Sequence, residues 1–185
     1  WGGSAAVAGL VAVTVAFDAP VAGPVLLATA LVVAFVGRRS AVARWSAAGF
    51  GLIGTVYYLA TAPLSTLVSA EALSTPTAAS TLISSVLVIG CAVVITWSWA
   101  GVDHADDDVA RILWAASAAI AMYAITMFTV TAGVMIGGEE AGFFAGHVAA
   151  TICWIALAGF VFRYALNAAR APLSLPIAEG TALVV

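Results

Sequence analysis

Lysine is absent from the chain, so the six basic residues are all arginines, set against nine acidic ones. Charged residues make up only 8% of the sequence, the net charge is −3 and no basic run occurs, so the polybasic footprint of a nucleic-acid or lipid-headgroup binder is missing. Nucleic acid is thereby excluded as a partner. There are two histidines and two cysteines. Cys91 and Cys153 each lie inside an apolar run with no second Cys or His at metal-ligand spacing, which reads as small core residues with no metal or disulfide role. A Ser, His and Asp set, a phosphate-binding glycine loop and a charge at the centre of any apolar run are all missing. The residues of an enzyme, and the buried carboxylate chains of a proton pump, are therefore not seen. No cofactor is implied.

What is present is apolar: 64% of residues are hydrophobic and the mean hydropathy is +1.14, a composition of polytopic membrane proteins. The organising stretch is Val109 to Arg170, two long apolar runs joined by Gly137-Gly138-Glu139-Glu140-Ala141-Gly142. Each run exceeds the roughly 20 apolar residues that cross a bilayer. The stretch reads as a transmembrane hairpin with Arg111, Arg163 and Arg170 at its open, cytoplasmic end and the glutamates on the far side.

The remaining spans alternate with it. Residues 3 to 16 form a short apolar segment ending at Phe17-Asp18-Ala19-Pro20, and a second helix opens at Pro20 and Pro24 and runs to Gly37 before Arg38-Arg39. Trp45 to Ala62 is a third, closed by Pro63, with Tyr57 and Tyr58 near its outer end. In Leu64 to Ser80, a short interfacial helix would turn Leu64, Leu67, Val68 and Leu73 to lipid. Thr81 to Ala100 is a fourth span, with Trp97 and Trp99 at its inner end, Arg111 to Ile136 a fifth and Phe143 to about Tyr164 a sixth. The loops 38–44, 102–110 and 167–171 fall on the cytoplasmic side. The expected fold is all-α, a bundle of about six crossing segments with the start of another, in one transmembrane region. The ends at Trp1 and Val185 suggest a piece of a longer polytopic chain.

Two echoes suggest an internal parallel repeat. Pro20-x-x-x-Pro24 before Thr29-Ala30-Leu31-Val32-Val33 recurs as Pro172-x-x-x-Pro176 before Thr181-Ala182-Leu183-Val184-Val185, and Val42-Ala43-Arg44-Trp45 echoes Val109-Ala110-Arg111-x-x-Trp114. Ala and Val richness is the competing explanation.

Few residues suggest chemistry. His147 sits within a span, about one turn from its outer end, with Thr151 a turn below and Glu140 before the helix start. A neutral imidazole at interfacial depth, reaching water or a helix-end carbonyl, is the structural reading; binding of a substrate or proton is the functional one. A haem held by two histidines is not expected, because His104 lies in a loop on the opposite side. The acidic loop Asp103 to Asp108 lacks the glycine turn and distal Glu of a calcium site, and Asp106, Asp107 and Asp108 suit the N-terminus of the next helix instead. Gly133-x-x-x-Gly137 and Gly142-x-x-x-Gly146 flank the outer turn at the spacing that lets helices pack closely in lipid.

The run Gly142-Phe143-Phe144-Ala145-Gly146-His147-Val148-Ala149-Ala150-Thr151-x-x-Trp154, followed by an apolar stretch and a basic turn before Ala178 to Val185, resembles the later helices of a bacterial family. These are the large multi-pass membrane proteins grouped as domain of unknown function 2339. The resemblance covers about the last third of the chain, and the family's basic and aromatic segment would fall after Val185. It implies many helices and brings no catalytic residues. The resulting expectation is a scaffold or transport-associated component of the bacterial inner membrane, partnered by the lipid bilayer and by other membrane helices. A transporter core is the runner-up and a haem- or quinone-associated redox subunit the third reading.

Overall fold

The computed structural model describes residues 2–37, 39–73, 78–99 and 107–170, and among them every element is helical. Seven α-helices follow in order: α1 (Gly2–Ala16), α2 (Ala19–Val36), α3 (Ala41–Thr61), α4 (Ala70–Leu73), α5 (Ala78–Trp99), α6 (Asp107–Gly137) and α7 (Phe143–Arg170). A 3-10 turn at Leu64–Val68 precedes α4, and a π turn at Gly138–Gly142 joins α6 to α7. The all-α class expected from the sequence is the class observed. Two stretches are long and apolar enough to cross a membrane, Ala78–Trp99 at a mean hydropathy of 2.3 and the 50-residue Arg111–Phe160 at 1.9. The second is far longer than one crossing needs, and it folds back on itself at Gly138.

Glycine and alanine set the register of the bundle. Gly54 of α3 sits on Leu27 of α2, Gly51 on Ala30 and Gly23 on Tyr57, which makes α2 and α3 an antiparallel pair. Gly51 also accepts Ile95 of α5, and Gly90 of α5 lies on Leu31, so α5 runs antiparallel to α3 and parallel to α2. The third helix opens earlier than the expected Trp45: Ser40 caps α3 by accepting the N–H of Ala43 at 3.5 Å. Arg44 consequently lies inside the first turn of α3, stacked 5.6 Å from the ring centre of Trp99, whose edge also meets Trp45 at 5.0 Å. The end of α5 is thus fixed to the start of α3. Leu26, Leu27, Phe50, Val88, Cys91, Ile95 and Met127 belong to the core.

Several expectations need correction. Leu73 is 4% exposed and belongs to the core instead of facing lipid, because Ala70–Leu73 folds in against α6. Leu67 is likewise packed on the core, while Leu64 and Val68 face outward. Cys91 is buried with its thiol 3.1 Å from the Leu27 carbonyl, whereas Cys153 is exposed on α7. Arg38, His104, the loop residues Asp103 to Asp106 and the second copy of the proline echo from Pro172 lie outside the described residues.

Pro24 lies within α2. Having no N–H, it leaves the carbonyl of Pro20 without its intrahelical donor. Ser80 Oγ of α5 donates to that oxygen at 2.9 Å, so a neighbouring helix completes the ladder. Ser80→Ala is expected to destabilise the bundle by about 1 kcal/mol. In a Pro24→Ala background, where the new alanine supplies its own N–H, the same change should cost nearly nothing. Unfolding titrations of the four proteins in mixed micelles measure the coupling, and equal costs in both backgrounds would remove the link.

Candidate functional site

The residues singled out by sequence gather at the turn between α6 and α7. Gly133 and Gly142 face each other so closely that a methyl on either would fall on the other's carbonyl oxygen. A methyl on Gly137 would come within 2.9 Å of the Gly142 Cα, and one on Gly146 within 2.5 Å of the Val130 Cα. All four positions therefore require glycine, since real Cβ atoms do not approach backbone at such distances. Gly138 turns the chain with φ at +80°, a conformation open to glycine, and the N–H of Phe143 closes the turn on the Glu140 carbonyl.

This clamp holds His147 against the connector that follows α3. Its Nε2 lies 3.2 Å from the carbonyl oxygen of Leu67, and its ring meets Phe143 edge-on at 4.7 Å. A carbonyl only accepts, so Nε2 carries the proton, and in the neutral ring Nδ1 is left as an acceptor. A further bond fastens the same connector to α6, Tyr123 donating its hydroxyl to the Ala62 carbonyl, while Thr66 Oγ1, which donates to the Pro63 carbonyl at 2.7 Å, rests 3.7 Å from the Met127 sulfur. His147 is thereby level with the 3-10 turn, beyond the end of α3.

The other expected members of the site stand apart from the imidazole. Thr151 is exposed and donates to the backbone carbonyl of His147 at 3.0 Å, not to its ring. Glu140 is exposed on the π turn, and among the described residues neither it nor Thr151 bonds the imidazole. Below Ala150 the two arms part: every residue from 151 to 160 is exposed, including Ile152, Ile155 and Phe160.

A polar set that sequence reasoning did not single out lies deeper. Tyr58 OH and Ser85 Oγ are 2.8 Å apart, Ser85 donates to the Thr81 carbonyl at 2.8 Å, and the Tyr58 ring meets Tyr123 edge-on at 5.8 Å. With Ser85 committed as donor to Thr81, Tyr58 is the donor to Ser85. The signal was legible as helical spacing: Thr81, Ser84, Ser85, Val88, Cys91, Ala92, Ile95 and Trp99 all recur on one buried face of α5. Among the described residues no three His, Cys, Asp or Glu side chains are placed to hold a metal ion.

No family model matches the chain, and no curated protein or solved structure does either. The arrangement itself is what bears on function. It is a clamped hairpin, a histidine latch and a bonded hydroxyl set, each turned to a backbone carbonyl or another side chain of the same chain.

Two substitutions separate the clamp from the latch. Gly146→Ala is expected to cost about 1–3 kcal/mol by overpacking against Val130, whereas Gly159→Ala, where a methyl meets nothing, should change stability by less than about 1 kcal/mol. Unfolding in mixed micelles measures both. His147→Leu should lose about 1 kcal/mol, the scale of one hydrogen bond, while His147→Gln keeps a donor and a near-native midpoint. Loss of assembly in the Gln variant would show that the imidazole does something the Leu67 contact does not explain.

Proposed function

We propose that the chain is an integral membrane bundle of the bacterial envelope that acts as a scaffold or transport-associated component through helix packing and through lipid and protein partners. The observation that carries this reading is an inverted distribution of polarity. On α5, Ser84, Ser85, Thr96 and Ser98 are buried while Ile83, Val86 and Val93 are more than half exposed, and on α6 Thr131 is buried while Ile136 is almost wholly exposed. Exposed large apolar side chains in such number are unfavourable in water; against lipid they have no cost. Ser85, Thr96 and Ser98 donate to carbonyls one turn back, Thr96 to Ala92 at 2.7 Å, while Thr131 Oγ1 is buried without a hydrogen-bond partner among the described residues.

A scaffold is favoured over a transporter core because α2 continues through Pro24 and, among the described residues, no pair of half-helix ends faces a cavity. On this reading α2, α3, α5, α6 and α7 cross the membrane, and α1, at 15 residues, enters it but is shorter than the roughly 17 residues a crossing takes. Membership of the domain of unknown function 2339 group belongs to the same proposal, resting on the Gly142 to Trp154 run. The arginine end, with Arg39, Arg44, Arg111 and Arg163, faces the cytoplasm by the positive-inside rule.

Membrane extraction and cysteine labelling test this together. The chain should stay in the pellet after alkaline carbonate. With Cys91 and Cys153 replaced by alanine, a cysteine at Ala141 should react with a membrane-impermeant maleimide in intact cells, and one at Ala105 only after permeabilisation. Release by carbonate overturns the membrane reading, and the reverse labelling pattern overturns the orientation.

A further inference from the structure

An apolar groove with a volume of about 460 Å³ opens between α1 and the first half of α3. Val7 and Leu10 form one wall, Trp45, Phe50 and Ile53 the other, and Gly49 lies between them. Val7 and Trp45 remain exposed, at 62% and 56%, so the helices on either side do not close the gap. Ser46 is the one hydroxyl in the lining, and no charged side chain enters it.

The dimensions select the occupant. From Ala41 to Ile53 the groove follows α3 for roughly 18 Å at 1.5 Å per residue, close to the ~15 Å depth of one leaflet's hydrocarbon. The apolar lining, with Ser46 as its one hydroxyl, and a volume of about 460 Å³ suit a single extended hydrocarbon chain.

Charge selects the head. The exposed Arg39 stands immediately before the Ser40 cap, at the end of the groove where Ala41 and Val42 line it. Arg44 is committed to the face of Trp99, and Arg39, exposed and two residues before the lining residue Ala41, is placed by the chain at that end of the groove. One arginine is no polybasic patch; here the groove supplies the binding surface and the charge discriminates between headgroups.

We propose that this groove seats one acyl chain of an anionic phospholipid from the arginine-side leaflet, with its phosphate at Arg39. The proposal rests on the membrane reading above. Native mass spectrometry of the protein extracted in mild detergent, with phosphatidylglycerol and phosphatidylcholine of identical chains in competition, measures it. The expected result is about five-fold preferential retention of phosphatidylglycerol, the factor given by ~1 kcal/mol for one arginine near an anionic lipid. Arg39→Gln should abolish the preference while leaving the fold unchanged. Gly49→Leu, introduced where a methyl meets no atom within 4 Å, should fill the groove and reduce retention of both lipids. Equal retention of the two lipids by the unmodified chain overturns the headgroup assignment, and unchanged retention in Gly49→Leu overturns the groove. If Gly49→Leu does not assemble, the Arg39→Gln comparison decides alone. A chain that carbonate releases from membranes fails at the membrane reading, a result separate from either lipid outcome.

Discussion

Backbone-to-backbone proximity is the constraint on which the bundle depends. Leu27 can enter α3 only because position 54 has no side chain, and Ile95 enters beside it only because position 51 has none. The same device closes the α6–α7 turn through Gly133, Gly142 and Gly146. Where apolar surface lies outside as well as inside, burial alone does not choose one packing over another, and close contact between small residues does. Helices drawn this near bring their hydroxyls within reach of neighbouring carbonyls, which is how Ser80 comes to serve Pro20.

The connector from Ala62 to Leu73 shows how that packing positions the polar groups. It has little regular structure of its own, and three side chains of the hairpin hold it: Tyr123 at Ala62, Met127 at Thr66 and His147 at Leu67. Each contact meets a backbone carbonyl or a hydroxyl at the place where helical hydrogen bonding stops. His147 is thus read as completing a connector: among the described residues its ring meets the Leu67 carbonyl and the edge of Phe143. The deeper Tyr58 and Ser85 pair behaves alike, ending on the Thr81 carbonyl within the bundle.

Outward-facing and core-facing surfaces differ here in a way that ties fold to setting. α5 buries Ser84, Ser85, Thr96 and Ser98 while turning Ile83, Val86, Val93 and Trp97 outward. A helix in water is selected for the opposite pattern. Over residues 151–160, α7 leaves α6 and is exposed on every face, with Ile152, Ile155 and Phe160 outward, an arrangement compatible with lipid contact all round. The groove beside α3 is the concave counterpart of that convex surface.

By itself the sequence determined the helical class, the turn at Gly137 to Gly142, the need for glycine on both sides of it and the gathering of arginines at one end. These follow from composition and from spacing along the chain, which local physics reads directly. It also placed His147 beside a helix end, though not which carbonyl it would meet, because Leu67 is distant in sequence and its approach depends on the path of the connector. Tertiary structure alone decided that Leu73 turns inward, that Cys153 faces outward, that Thr151 bonds backbone instead of imidazole and that Tyr58 finds Ser85. In a chain whose helices are apolar on nearly every face, hydrophobic periodicity cannot tell core from periphery. Only the crossing points of small residues, assembled in three dimensions, make that distinction.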